Sequence, residues 1–199
     1  MIVFPNAKIN LGLNIIEKRQ DGFHNIESVF YPIFHLKDIL EIIRNTDSNE
    51  VLFSSSGITI PGNINENLCV KAYQLLKSDF NIPGVKIHLH KVIPIGAGLG
   101  GGSSDAAFTL KLLNALFTLN LSEDKLIAYA QKLGSDCAFF IRNKSVYAYN
   151  KGDEFKDINL NLDNYKIDLV FPNIHVSTKE AYDGIKIRKR NMDLREQLK

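Results

Sequence analysis

Pro94-Ile-Gly-Ala-Gly-Leu-Gly-Gly-Gly-Ser-Ser-Asp-Ala-Ala107 is the stretch of this 199-residue sequence that constrains its fold most strongly. Five glycines occur within seven positions, and an apolar run with helical spacing follows them to about residue 118. A glycine-rich loop that opens a helix gathers unpaired backbone N–H groups and the positive end of the helix dipole in one place. Because glycine has no Cβ atom, a ligand can approach these groups closely. The stretch therefore predicts an anion site, and phosphate is the anion we expect there.

Three familiar nucleotide-binding patterns fit this stretch poorly. It contains the dinucleotide fingerprint Gly-x-Gly-x-x-Gly from Gly96, but residues 122–126, where an acidic strand end is needed, have the pattern of a helix start. A Walker A loop ends in Gly-Lys-Ser/Thr, whereas this loop ends in Gly102-Ser103-Ser104 without a lysine. The protein-kinase pattern is excluded, because the sequence has neither His-Arg-Asp nor Asp-Phe-Gly. A flexible glycine linker is disfavoured by the apolar strand and helix on either side.

The composition indicates an ordinary globular protein of one domain, or one and a half. The sequence is 45% hydrophobic and 23% charged with a net charge of +2, which does not favour nucleic-acid binding. Cys69 and Cys137 lie far apart without metal-ligand spacing, which is typical of a reduced compartment. No apolar run is long enough to span a membrane, and the N-terminus lacks a leader pattern. We therefore expect a cytoplasmic protein with no membrane or nucleic-acid partner.

Hydrophobic periodicity predicts an α+β fold of hairpins and helices. Alternation places Lys8 and Asn10 on one face of a strand, opposite the core. Ser103, Ser104 and Asp105 have the chemistry of N-cap or first-turn residues of the helix after the glycine loop. The predicted strands cover residues 9–15, 26–36, 39–43, 51–53, 58–60, 85–92, 146–149 and 166–171, with a turn at 150–153. The other predicted helices cover 66–79 and 122–134, with a short one from 177 to about 182.

Phosphoryl transfer to a hydroxyl needs a phosphate cradle, a metal ion, a cation and a carboxylate that orients the acceptor. Asp136 leads into an apolar run and could supply that carboxylate, although a turn or helix-terminal acid would look the same. Lys8 is equally ambiguous, since lysines are common on exposed strand faces. Asp21-Gly-Phe-His24 reads as a β-turn with a packed Phe23. Cys137 is interpreted as a small buried residue rather than a nucleophile.

Four elements together resemble the GHMP small-molecule kinases, over residues 3 to about 182. The glycine-rich stretch resembles the second motif of that family, and Ala7-Lys-Ile-Asn-Leu11, Asp21-Gly-Phe-His24 and Gly134-Ser-Asp136 resemble other elements of it. The resemblance implies an α+β fold with a ribosomal protein S5 domain 2-like N-terminal domain at 1–155. The beginning of a ferredoxin-like C-terminal domain would follow at 156–199.

The resemblance also implies roles for individual residues. Lys8 and Asp136 become the catalytic pair, in which Asp136 orients or deprotonates the acceptor hydroxyl and Lys8 keeps it ionised. Phe23 or Tyr182 would stack on a cytosine ring whose edge His24 reads, with Asn10 as another substrate contact. A hydroxyl of Ser103 or Ser104, with Ser104 preferred, would lie near Mg²⁺. The residues implied to bind ATP are Asn67, Lys91, Pro94, Ile95, Gly96, Ala97, Gly98, Leu99, Gly100, Gly101, Gly102, Ser103 and Ser104.

The implied acceptor is a small molecule, methylerythritol linked to cytidine diphosphate, phosphorylated on its 2-hydroxyl in isoprenoid precursor synthesis. Two alternatives stay open: a GHMP kinase of the homoserine or mevalonate type, and a nucleotide-binding fragment with impaired catalysis. Ser135 stands where the family usually has alanine. Because the sequence stops before the family's third glycine-rich motif, we expect the native chain to continue past Lys199. A chain ending there would bind nucleotide weakly or turn over poorly.

Overall fold

The computed structural model describes residues 1–171 together with Ala181, Gly184 and Leu194. The fold is a mixed α+β arrangement of two four-stranded sheets and four α-helices within these residues. The strands are β1 (Ile2–Val3), β2 (Asn6–Lys18), β3 (His24–Lys37), β4 (Ile39–Arg44), β5 (Leu52–Gly57), β6 (Val85–Lys91), β7 (Val146–Tyr149) and β8 (Glu154–Asp157). The helices are α1 (Leu68–Phe80), α2 (Gly101–Leu116), α3 (Glu123–Leu133) and α4 (Cys137–Arg142), and a 3₁₀ turn (Ile64–Glu66) precedes α1.

The two sheets differ in how the chain connects their strands. The first has the order β1-β4-β6-β5, in which β5 and β6 run parallel and are joined through α1. The second has the order β2-β3-β7-β8 and is antiparallel throughout. Its β2–β3 hairpin contains register shifts, one of them at Gly12, whose φ of 71° lies in the left-handed region. Such bulges bend a long hairpin.

Helix α2 lies at the centre of the main hydrophobic core. Its fully buried residues include Ala106, Ala107, Leu110 and Leu113, which share one cluster with side chains of both sheets and of α1, α3 and α4. Helical spacing of apolar residues in the sequence produces this buried face. The core therefore fixes the start of α2, and with it the glycine-rich loop that leads into it.

Most predicted elements are present, and α3 is confirmed closely. Ser122 caps α3 by accepting a hydrogen bond from the Lys125 N–H at 3.3 Å, and Gly134 lies at its C-cap. Strand β7 and the turn at 150–153 also match the prediction. The segment at 177–182 falls almost entirely outside the described residues.

Two predicted strands are wrong. Residues 58–60 are not a strand, because β5 ends at Gly57, whose φ of 78° turns the chain while the Ile58 N–H bonds to the Lys91 carbonyl. Residues 166–171 are irregular and largely exposed, and Val170 is 87% exposed. Alternating apolar residues form a strand only beside a partner. Within the described part of the chain this segment pairs with none.

The expected domain division at residue 155 falls inside β8, which pairs with β7 from Glu154 to Asp157. The described second sheet therefore continues beyond the predicted boundary. No helix among the described residues is long and apolar enough to cross a bilayer.

Candidate active site

The glycine-rich loop connects β6 to α2 and takes its shape from three left-handed glycines. Gly96, Gly98 and Gly100 have φ angles of 74°, 73° and 68°. A Cβ atom on Gly100 would lie 3.0 Å from the Phe140 ring and 3.1 Å from Lys8 Cγ, whereas one on Gly98 would meet nothing within 4 Å. Gly100 is therefore required by packing, and Gly98 borders open space that a ligand can enter.

Helix α2 starts at Gly101, earlier than its serines suggested. The N-cap is Gly100, without a side-chain cap, and the first helical hydrogen bond runs from the Ser104 N–H to the Gly100 carbonyl at 2.8 Å. Ser103 and Ser104 are thus first-turn residues rather than caps, and Asp105 follows directly after the first turn. The preceding N–H groups of the first turn have no intrahelical partner, and the positive helix end lies beside them. This geometry fits the predicted anion site.

A cleft of about 570 Å³ opens on one side of the loop. Every loop residue from Pro94 to Ser103 lines it, together with Asn67 and Lys91. Another wall is formed by residues 53–55 of β5, by residues 60–64 and by residues 66–68. Its apolar members are Phe53, Ile60, Ile64 and Leu68. Sequence analysis missed this wall, since scattered apolar residues between two elements carry no motif.

Asn67 lines the cleft and also caps helix α1. Its side-chain oxygen accepts a hydrogen bond from the Cys69 N–H at 2.9 Å and so caps α1. Only its amide NH₂ can therefore serve a ligand without uncapping the helix.

Lys91 lies in a buried charged cluster at the base of the cleft. Its ammonium, in a side chain only 4% exposed, lies 2.5 Å from Asp38 Oδ2 and 2.8 Å from Asp105 Oδ2. Burial raises the pKa of Asp105 to about 7, an effect that the nearby Lys91 only partly offsets. Burial also disfavours the Lys91 ammonium, but the two carboxylates overcome this and raise the pKa of Lys91. Sequence analysis gave Asp38 no role.

Lys8 and Asp136 meet beside the glycine loop. The Lys8 ammonium lies 3.1 Å from Asp136 Oδ2 and donates to Asn10 Oδ1 at 2.7 Å. It also lies 4.5 Å from the centroid of the Phe30 ring. The shared face of Lys8 and Asn10 is confirmed, but Lys8 is only 3% exposed, so its expected place opposite the core is wrong. Its backbone N–H bonds to the Leu99 carbonyl at 2.9 Å, because the loop covers it.

The Asp136 carboxylate is held on one side and partly open on the other. Its side chain is 32% exposed, and it makes no cap hydrogen bond although it precedes α4. A carboxylate with one accessible side can accept a hydrogen bond from a hydroxyl group. Neither Lys8 nor Asp136 lines the cleft. The glycine-rich loop therefore contacts both a nucleotide-sized cleft and the residue paired with a potential base.

The two serines at the start of α2 differ in accessibility. Ser103 lines the cleft, whereas Ser104 is fully buried and its Oγ has no hydrogen-bond partner among the described residues. An unpaired buried hydroxyl is costly and is satisfied when an ion or water reaches it.

Cys137 is fully buried, and burial raises the pKa of its thiol to about 11, as expected for an inert residue.

The residues predicted to read a base lie elsewhere. Phe23 is 59% exposed at the end of the β2–β3 hairpin, with the Lys151 ammonium 5.3 Å from its ring centroid. His24 pairs with Lys18, ten positions along β2 from Lys8. The described residues thus bring Lys8, Asn10, Asp136 and the loop together, but not Phe23 and His24. Tyr182 lies outside the described residues.

The chain is similar in sequence to known kinases. Residues 67–144 match the family described as GHMP kinases N terminal domain. The 4-diphosphocytidyl-2-C-methyl-D-erythritol kinase of Cytophaga hutchinsonii is 57% identical over 186 residues, which are 93% of this chain and 67% of that protein. The kinase of the same name from Bacteroides thetaiotaomicron is 53% identical over 201 residues, covering 100% of this chain and 73% of that protein.

Solved structures show the same relationship. A crystal structure of 4-(cytidine 5'-diphospho)-2C-methyl-D-erythritol kinase matches with a TM-score of 0.69 and 36% identity over 81% of this chain and 56% of that one. The crystal structure of homoserine kinase from Cytophaga hutchinsonii also matches with a TM-score of 0.69, over 96% of this chain and 61% of that chain. Its sequence identity is 15%, so this match shows a shared fold. The chain spans about two thirds of the length of the curated relatives. It belongs to the GHMP kinases and, among them, to the family of 4-diphosphocytidyl-2-C-methyl-D-erythritol kinases.

Proposed function

We propose that the protein transfers the γ-phosphoryl group of ATP to the 2-hydroxyl of 4-diphosphocytidyl-2-C-methyl-D-erythritol. The single observation that carries the chemistry is the Lys8–Asp136 ion pair at 3.1 Å, packed against a loop with free first-turn N–H groups. The names of the relatives supply the acceptor. The bond between the γ-phosphorus and the bridging oxygen breaks, ADP leaves, and the acceptor oxygen forms the new P–O bond.

The loop and the cleft supply the nucleotide side of the reaction. Backbone N–H groups at the start of α2 suit the triphosphate, since they neutralise charge without a side chain. The apolar wall containing Phe53 and Ile60 suits a purine ring. GHMP kinases use ATP, and a loop that suits the triphosphate beside an apolar wall that suits the purine ring agrees with that cofactor.

Magnesium is the metal ion that we assign to this site. It prefers oxygen ligands and is usually held by one or two protein groups together with phosphates and water. The Ser104 hydroxyl, which has no hydrogen-bond partner in the described part of the chain, and the Ser103 hydroxyl on the cleft fit that requirement. When bound, the ion neutralises charge on the phosphate oxygens.

Asp136 and Lys8 divide the acid–base and electrostatic work. The exposed side of the Asp136 carboxylate accepts a hydrogen bond from the acceptor hydroxyl and takes up its proton as the new P–O bond forms. The buried Lys8 ammonium holds the Asp136 carboxylate in place, and it offsets negative charge at the transferred group. Asn10 fixes the ammonium from the other side at 2.7 Å.

The cytidine end of the acceptor is assigned to the hairpin. We keep His24 as the reader of the base edge, with Phe23 or Tyr182 stacked on the ring and Asn10 near the acceptor. The exposure of Phe23 supports a stacking role. We also keep the S5-like N-terminal domain, the partial ferredoxin-like domain after residue 155 and the cytoplasmic location as proposals.

An acceptor panel tests the function. A coupled assay measures ADP release with three acceptors at equal concentrations: 4-diphosphocytidyl-2-C-methyl-D-erythritol, mevalonate and homoserine. We expect ADP release above background with the cytidyl acceptor alone. Phosphorylation of mevalonate or homoserine with none of the cytidyl acceptor would contradict the proposal. Nucleotide binding without turnover of any acceptor would favour a binding fragment.

A further inference from the structure

Three buried charged residues, Asp38, Lys91 and Asp105, connect both ends of the glycine-rich loop. We infer that this Asp38–Lys91–Asp105 cluster positions the loop for the nucleotide, and that Lys91 acts through the loop rather than as a direct phosphate ligand. Asp38 then becomes a positioning residue for nucleotide binding. The inference rests on the proposed binding of ATP at the loop.

Asp38 holds the chain where the loop begins. Its Oδ1 accepts hydrogen bonds from the N–H groups of Val92 at 2.6 Å and Ile93 at 2.8 Å, directly before Pro94. Its own N–H donates to the Pro5 carbonyl at 2.8 Å, at the start of the strand that carries Lys8. The side chain is completely buried. Asp38 thus joins the start of the loop, through its carboxylate, to the residue before β2, through its backbone N–H.

Lys91 and Asp105 hold the chain where the loop ends. Asp105 is the fifth residue of α2, and its Oδ2 accepts a hydrogen bond from the Lys91 ammonium, which also donates to Asp38 Oδ2. A Cβ atom on Gly101 would lie 2.8 Å from the Lys91 ammonium, so the helix backbone rests directly against it. The ammonium therefore bridges the start of the loop and the start of the helix.

The contacts of the Lys91 ammonium argue against Lys91 as a phosphate ligand. The ammonium lies 2.5 Å from Asp38 Oδ2 and 2.8 Å from Asp105 Oδ2. Two of the three ammonium protons are already donated to buried carboxylates. A phosphate at Lys91 would have to compete with both. The loop N–H groups need no such exchange.

The Lys91→Met and Lys91→Met/Asp105→Asn variants separate the two roles. Methionine removes the ammonium that joins Asp38 to Asp105 and leaves both buried carboxyl groups without it, which loosens the start of α2 from β6. Asparagine at position 105 removes one charge and can donate its amide to Asp38, which restores the link without the lysine. The Lys86→Met change on the same strand is the matched control, since the partly exposed Lys86 pairs with the exposed Asp47.

The readouts are the Kd for ATP bearing a fluorescent N-methylanthraniloyl label, and Tm measured in parallel. We expect Lys91→Met to weaken binding about tenfold or more and the double variant to recover most of that loss, as coupled neighbours do. Lys86→Met should bind like wild type. A double variant as weak as Lys91→Met would show direct contact with the nucleotide. A changed Tm with unchanged Kd would show a purely structural role. Either result overturns the inference.

Substitutions of Asp38 provide a second test, because asparagine has nearly the same shape as aspartate. Asp38→Asn retains an acceptor for the Val92 and Ile93 N–H groups, whereas Asp38→Ala removes it. We expect affinity to fall in the order wild type, Asn, Ala, and equal Kd values for all three would overturn the inference. Absence of nucleotide binding by the wild-type protein would instead overturn the proposed function and this inference with it.

Discussion

Asp136 is the residue on which the proposed chemistry depends most. We expect Asp136→Asn to lower kcat by about 10²–10⁴, the usual contribution of a positioned acid or base. The Kd for ATP should stay close to wild type, because Asp136 does not line the cleft. Steady-state kinetics with the cytidyl acceptor and a nucleotide titration of the same preparation measure both quantities.

Asp124→Asn is the matched control for that substitution. Asp124 lies on α3 with its side chain 90% exposed and its nearest cation, Arg142, 3.8 Å away. Its replacement should leave kcat and Kd unchanged. An Asp136→Asn variant with full activity would remove Asp136 from the mechanism, and one that loses nucleotide binding would place it in the nucleotide site.

Single residues also show what the sequence could and could not reveal. Lys8 and Asp136 were found through a family resemblance, and the structure brings them together. The burial of Lys8 was missed, because alternation along one strand cannot report a loop and a helix that cover it from elsewhere in the chain. Asp38 was missed for a different reason. It is a lone acid between two strands, and only the fold places it beneath the loop.

At the scale of elements, the loop and α2 act as one unit, and two of the loop glycines have separable tasks. Gly98→Ala adds a methyl group where nothing lies within 4 Å, so its cost to folding is left-handed strain of roughly 1–2 kcal/mol. The methyl group would occupy the space that we assign to phosphate. We expect a modest fall in Tm and a large loss of ATP affinity, measured by thermal unfolding and nucleotide titration.

Gly22→Ala is the matched control for strain, since Gly22 also has positive φ and open surroundings. It should lower Tm to a similar degree and leave the Kd for ATP unchanged. Gly100→Ala should lower Tm further, because overpacking against Phe140 and Lys8 adds about 1–3 kcal/mol. Equal ATP affinities for the Gly98 and Gly22 variants would contradict the phosphate site at the loop.

The elements that sequence patterns predicted well are those with strong local signals. Helix α3 has a serine cap, acidic residues in its first turn and a terminal glycine, and its bounds were predicted closely. The pattern at 166–171 also alternates, but pairing depends on a neighbour that a local pattern cannot supply. Ser103 and Ser104 were predicted as N-cap or first-turn residues of α2, and they lie in its first turn, because Gly100 in a left-handed conformation serves as the N-cap.

At the scale of the whole molecule, the loop lines the cleft, contacts Lys8 of the Lys8–Asp136 pair and belongs to the central core through α2. Nucleotide binding should therefore stabilise the fold as a whole. At an ATP concentration 100 times the Kd, with Mg²⁺ present, binding to the folded state alone raises the free energy of unfolding by about 2.7 kcal/mol. For a chain of this size that raises Tm by roughly 5–10 °C.

Thermal unfolding with and without ATP and Mg²⁺ measures this effect, with sodium chloride at matched ionic strength as the control. Gly98→Ala should show a smaller shift than wild type at the same ATP concentration. An unchanged Tm at saturating ATP would contradict a nucleotide site built on the core.

The most direct test of the account follows the phosphoryl group itself. The protein is incubated with Mg²⁺, ATP carrying ¹⁸O on its γ-phosphoryl oxygens, and 4-diphosphocytidyl-2-C-methyl-D-erythritol, and the products are analysed by mass spectrometry and ³¹P NMR. The account predicts one labelled phosphoryl group on the acceptor's 2-hydroxyl for each ADP formed, and loss of this product in Asp136→Asn. Label recovered only in inorganic phosphate, or left entirely in ATP, would contradict it.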